Sequence, residues 1–223
     1  MVKNLDQNRL LSYITLMDFA TIAGPEAIEK TVGALRSRGI AAEVLSTRGE
    51  ALARLQAIIP AGATVMTGAS VTLREIGFEQ LLLSKAHPWR NLKDEILAEK
   101  DPQRQSRLRR QAALADCFIG SVHAVAQSGQ IVVASATGSQ LAAYVYASPH
   151  VIWVVGAQKI TRTLEEGLRR VHEHILPHEE KRMRELSGGK FGTMVGKMLI
   201  FERESPLTGR KLTLLLVREA VGD

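Results

Sequence analysis

Short runs that are apolar on both faces alternate with helix-patterned segments along most of this chain, and no other feature narrows the fold as much. Residues 41–45, 63–66, 117–121, 122–126, 130–134 and 151–155 carry the strand pattern, each bounded by small polar residues, glycine or proline. Helical spacing is predicted for a segment that begins near Pro25, sets Ile28, Val32 and Leu35 on one stripe and stops at Gly39. Further helices are expected over residues 50–59, from Thr72 onward with Thr72 and Glu75 at capping-box spacing, over about 92–115 and over 139–146. The clearest helix follows Gly156, where Ile160, Leu164, Leu168, Val171 and Ile175 share a face and Thr163 and Glu166 repeat that spacing. Strands apolar on both sides need cover on both sides, so the fold class is α/β with a mostly parallel sheet. Two last β-like runs, 197–202 and 211–218, flank a turn at 205–209 and predict a C-terminal β-hairpin. The expected organisation is an N-terminal helical segment within residues 1–24 and one domain over 25–223.

Charge and composition exclude several functions. The net charge of +6 is not gathered into a tail or a basic face with aromatics. Its densest cluster, Arg104, Arg107, Arg109 and Arg110, shares a predicted helix with Asp94, Glu95, Glu99 and Asp101, the pattern of a solvated surface, so no nucleic-acid partner is expected. No run approaches the roughly 18 apolar residues that span a bilayer, and the opening residues lack the order of a secretion signal; no membrane association and a cytoplasmic location follow as expectations. A single Cys117 allows no internal disulfide and no cysteine-rich metal site. His172, His174 and His178 do not share a helical face as a set, which predicts a surface location and no metal.

Chemistry concentrates in residues 117–164, a stretch with no Asp or Glu whose only formal positive charges are Lys159 and Arg162. In open α/β sheets ligands gather beyond the carboxyl ends of strands, where loop amides and helix N-termini point outward. Four polar turns qualify, which makes Gly68, Ser70, Thr72, Ser121, His123, Thr137, Gly138, Ser139, Gln140, Gly156 and Lys159 candidate ligand-binding residues; Gln127 and Ser128 join them from the next turn. The spacing matches neither the dinucleotide fingerprint nor the P-loop, so no cofactor is expected. Lys159, just ahead of a helix, calls for a compensating anion, either Glu165 or Glu166 or a bound ligand. His123 is the candidate for acid/base work, and a hydrogen-bonded structural role is its alternative.

The strings GASVTLREIG, ADCFIGSVHAVAQSG, ATGSQLAAYV and VIWVVGAQKI, with LLLVREAVG near the end, resemble the lactate-utilisation (LUD) domain proteins in order and spacing over residues 27–222. The resemblance implies a three-layer α/β/α sandwich, similar to ribose-5-phosphate isomerases, glucosamine-6-phosphate deaminases and CoA transferases. It also implies an association with lactate oxidation beside iron–sulfur proteins. The turn at Gln127 departs from many such proteins, which carry Glu there, and residues 187–196 lack the cysteines of other relatives. An amide cannot form the acyl link that CoA transferases make to a Glu.

The expected function is therefore binding of a small anionic metabolite in support of lactate, or more broadly hydroxy-acid, oxidation, with an iron–sulfur redox partner supplying the electron chemistry. The alternative is a stand-alone isomerase or acyl-transfer enzyme whose base is His123, Glu75 or Glu79. The N-terminal segment and the predicted hairpin offer surfaces for a homodimer.

Overall fold

The computed structural model describes residues 18–223, and the strand and helix alternation organises them. The strands are β1 (Ala41–Leu45), β2 (Thr64–Thr67), β3 (Arg90–Asn91), β4 (Cys117–Gly120), β5 (Ala124–Ala126), β6 (Ile131–Ser135), β7 (His150–Gly156), β8 (Ile160–Thr161), β9 (Lys197–Phe201) and β10 (Lys211–Val217). The helices are α1 (Pro25–Ser37), α2 (Arg48–Ile58), α3 (Val71–Glu75), α4 (Phe78–Ser84), α5 (Leu92–Ala98), α6 (Pro102–Gln111), α7 (Leu164–Arg170) and α8 (Leu176–Leu186). Six strands form a sheet in the order β1-β10-β7-β4-β2-β3, parallel throughout, which is the expected α/β class. A second sheet, β8-β5-β6-β9, is mixed and lies against it.

The period of two in β7 and β10 splits the core. Val151, Trp153 and Val155, with Leu212, Leu214 and Leu216, face Ile28, Val32 and Leu35 of α1 and Val125, Ile131, Val133 and Phe201 of the second sheet. Ile152, Val154, Leu215 and Val217 point the other way, onto Leu55, Leu73, Phe78 and Leu82 of α2, α3 and α4. Each large side chain buried this way contributes about 1.5–3 kcal/mol. The second sheet's outer face packs Ala124, Val132 and Ala134 against Leu164, Leu168 and Val171, so on this side an extra layer stands between the main sheet and its helices.

The predicted hairpin is not formed. β9 pairs antiparallel with β6, whereas β10 enters the large sheet between β1 and β7. The reason is visible in β10, where every residue after Lys211 is buried; a hairpin strand with one wet face would alternate. Between them, Arg210 ties the connection down: its guanidinium donates to the carbonyls of Ala143, Tyr144, Val145 and Ser148 at 2.6–3.0 Å and to Glu204 Oε2 at 3.1 Å. Those carbonyls belong to the end of a short helix over 141–147, π-type from Ala143 on, which is the helix expected over 139–146 shifted by one or two residues.

The long helix expected over 92–115 is two, because Asp101 caps a fresh start at the Arg104 N–H and Pro102 occupies its first turn. The helix after Ser70 is capped by Ser70, which accepts from the Leu73 N–H at 3.2 Å, and not by Thr72. Thr163 does cap α7, accepting from the Glu166 N–H at 3.2 Å. The N-terminal helical segment expected within residues 1–24 lies mostly outside the described residues.

Gly120 ends β4 under the Tyr144 ring, and a Cβ there would overlap the Tyr144 hydroxyl. Tyr144 in turn stands edge-on to Phe118 and Trp153, at 5.5 and 5.4 Å between ring centroids. Gly120→Ala is expected to cost about 1–3 kcal/mol by overpacking, read as a lower melting temperature.

Candidate functional site

β2, β4, β7 and β10 all end at one edge of the large sheet. The turns that follow, at 68–70, 121–123 and 157–159, meet there with Asp223 from beyond β10, and they line a cavity of about 410 Å³. That volume suits a small metabolite, and the carboxyl edge of a parallel sheet is where such ligands bind. The second sheet closes one side with residues 134–137, Ser139 and Gln140, and Ile175, Glu179, Arg182 and Met183 close another.

Lys159 sits at the base of this cavity in a single turn after β7, only 4% exposed. Its Nζ donates to Thr72 Oγ1 at 3.0 Å and lies 3.4 Å from Ser121 Oγ, and the two hydroxyls are 3.2 Å apart. Thr72 thus serves the lysine rather than a helix end. Among the described residues Lys159 makes no ion pair, and Glu166, one of its expected partners, binds Arg162 instead at 2.6 Å. Burial, reinforced by the nearby Arg170 charge, pushes the ammonium down to about 7, with Asp223 and Glu75 opposing.

Arg170 is fully buried on α7 and donates to the carbonyls of His123 at 2.7 Å, Phe19 at 3.3 Å and Asp223 at 3.4 Å. It pins the loop after β4 and holds positive charge behind the lysine. Above, Gln158 brackets the chain near its end, with Nε2 donating to the carbonyls of Val221 and Gly222 at 3.1 and 2.8 Å. Gly222, at φ +71°, lies so close that a Cβ would run into Thr72 Oγ1 and approach Nζ. Glu75 points here too, accepting the Gly222 N–H at 2.7 Å.

His123 lines the cavity, yet its Nδ1 accepts the Ala134 N–H at 3.1 Å, which places the ring proton on Nε2. Burial, followed by the charges of Lys159 and Arg170, depresses it to about 3. With Nδ1 occupied by the Ala134 N–H, the ring offers the cavity its Nε2–H as a donor. His150, on β7 against Thr213, is likewise pushed down to about 4 by burial. Both groups refuse in the folded state a proton that the unfolded chain accepts below about 6.5, so stability is expected to fall as pH drops through that range. Melting temperatures from pH 7 to 4 test this, and His123→Gln is expected to shallow the slope.

The profile of the LUD domain matches residues 28–203. The chain belongs to the LUD-domain family. The membership ties it in general terms to lactate utilisation. A crystal structure of a DUF162 family protein from Deinococcus radiodurans shares the fold at a TM-score of 0.54 and 13% identity, covering 88% of this chain and 99% of that one. No curated protein sequence matches.

Within this LUD domain the structure gathers Gly68, Ser70, Thr72, Ser121, His123, Thr137, Ser139, Gln140 and Lys159 around the cavity. It leaves out four expected residues. Gln127 and Ser128 sit at the antiparallel β5–β6 turn, where the Gln127 N–H donates to Thr161 at 2.8 Å and the Ser128 carbonyl accepts from Arg38 at 2.7 Å. Gly138 backs onto the Lys197 side chain, and Gly156 makes room for Gln158 and Val221. The Gln127 amide is therefore not part of the cavity wall.

The cavity is also less free of acid than its central run. Glu79, Glu179 and Asp223 reach it from other segments, together with Arg74 and Arg182, and Glu179 is engaged by Arg182 at 2.7 Å. Of these only Glu79 was visible in the sequence, as a nearby carboxylate; the α8 pair is an ordinary i, i+3 surface pattern until tertiary packing brings it in. Cys117, pushed up to about 11 by burial, is chemically quiet, and no metal-binding cluster occurs among the described residues.

Proposed function

We propose that this LUD domain binds a small anionic metabolite, a hydroxy acid or its 2-oxo counterpart, in the cavity above Lys159, and so serves lactate or related hydroxy-acid oxidation. The observation that carries the reading is a buried lysine held only by hydroxyls, whose protonated form has no counter-ion until a carboxylate ligand supplies one. Ser70, Ser139 and Gln140 add neutral donors around it. Calorimetric titration with lactate and pyruvate is expected to give one saturable site per chain. No binding of either, together with unimpaired growth on lactate of a strain lacking the gene, overturns it.

Electron transfer in this reading belongs to an iron–sulfur partner. Among the described residues no helix is long and apolar enough to cross a membrane, and with the single buried cysteine this supports a cytosolic setting. Met194, about 70% exposed at the cavity wall, and the similarly exposed Leu186 and Phe191 shortly before it in the chain offer that partner an apolar footing.

The stand-alone isomerase or acyl-transfer reading keeps one specific support, the Glu79 carboxylate in the cavity wall. It predicts turnover of a sugar phosphate or acyl-CoA by the isolated protein, abolished in Glu79→Gln.

A further inference from the structure

We infer that Lys159 is a nucleophile toward carbonyl compounds, and that the cavity holds a 2-oxo acid as a reversible imine on its Nζ. The inference rests on the proposed binding site and adds covalent chemistry to it.

Hydrogen-bond accounting around Nζ comes first. An ammonium carries three donors, a neutral amine two donors and one lone pair. The structure gives Nζ two hydroxyl partners, Thr72 Oγ1 at 3.0 Å and Ser121 Oγ at 3.4 Å, and no carboxylate. Two hydroxyls satisfy a neutral amine and leave its lone pair free. They leave an ammonium one donor short, in a place 4% exposed.

The surroundings favour the neutral form. Arg170, fully buried on α7, stands behind the lysine as a fixed positive charge, and a desolvated lysine beside a second cation is a recognised way to activate an amine. Gly222 covers one side of Nζ, and the cavity opens on another. The His123 Nε2–H and the Arg74 guanidinium stand in the same wall as donors for the oxygens of a carboxylate.

The step balances without a redox partner. The Nζ lone pair attacks the carbonyl carbon and forms the C–N bond as the C=O π bond opens onto oxygen. Both amine protons move to that oxygen through the Thr72 and Ser121 hydroxyls. Water leaves, and carbonyl plus amine have become imine plus water.

The test is reductive trapping. The full chain is incubated with pyruvate or glyoxylate and sodium borohydride, and the adduct is located by peptide mass spectrometry. Expected is one adduct per chain, on Lys159, at least tenfold faster than on the exposed Lys30, and absent in Lys159→Arg that melts as the parent does. Thr72→Val is expected to slow trapping while the fold persists. Adducts spread over surface lysines, or none at Lys159, overturn the inference. Lactate, which has no carbonyl, separates the two ideas: if calorimetry shows lactate bound but no adduct forms, the imine falls and the binding site stands. An adduct at Lys159 without lactate binding keeps the imine and removes the hydroxy-acid reading, and if neither is seen both fall.

Discussion

Lys159→Met is expected to weaken carboxylate binding by about 2–5 kcal/mol, more than tenfold in Kd, while leaving the unliganded protein at least as stable as the parent at pH 6. A buried charge without a counter-ion is a burden on the folded state, and methionine fills similar space with no charge to desolvate. The pH dependence separates the two effects. The lysine's folded value, about 7, lies below its ordinary 10.5, so between those limits the unfolded chain holds the extra proton and the parent gains stability as pH rises. Lys159→Met is expected to lack that rise. Affinity for a carboxylate runs oppositely and falls above pH 7, because the anion prefers the protonated lysine. His123, Arg170, Glu75 and Asp223 are the charged or titratable groups around it, and His123 is already neutral over this range. Thermal melts and titrations from pH 6 to 10 check both trends.

Arg210→Met is expected to cost about 3–5 kcal/mol, a fall of about 6–20 °C in melting temperature for a chain of this size. Its side chain is 5% exposed and that of Glu204 7%, so removing the guanidinium leaves a carboxylate buried without its ion pair. It also strips donors from the carbonyls of residues 143–145 and 148, of which Ala143 keeps only the long bond from the Ser148 N–H at 3.5 Å. The double variant Arg210→Met with Glu204→Leu is expected to recover only part of the loss, since the orphaned carboxylate goes but the orphaned carbonyls remain. Full recovery would show that the ion pair, not the carbonyl cap, holds the turn.

The sheet was legible because its middle strands announce themselves: a run such as Val151–Val155 is apolar at every position, and only a strand covered on both sides tolerates that. The polar turns beyond those strands were legible for the same reason, through the rule that ligands meet parallel sheets at the carboxyl edge. Gln127 and Ser128 failed because the rule does not apply to the antiparallel β5–β6 turn, and sequence periodicity does not say which sheet a short strand joins. Thr72 fits the capping-box spacing, yet Ser70 is two residues earlier and takes the cap, which frees the Thr72 hydroxyl for Lys159. The carboxylate of Glu179 enters by tertiary packing alone, whereas Glu79 follows the Ser70 turn closely enough in sequence to be named beforehand. The hairpin was misread from its turn, although the unbroken apolarity of residues 214–217 already favoured a central strand.

That central strand also has a consequence for synthesis. β10 separates β1 from β7, and its partner registers, Ala41 with Thr213 and Leu212 with Val151, span up to about 170 positions of sequence. As the chain leaves the ribosome, β1 and β7 emerge with no strand between them, their inner edges and apolar faces open to water until residues 211–217 follow. Closing the sheet requires residues 211–217 to pair on both sides, and until they do β1 and β7 carry open edges. Codon changes or truncations that delay this stretch are expected to trap aggregates rather than partly active protein.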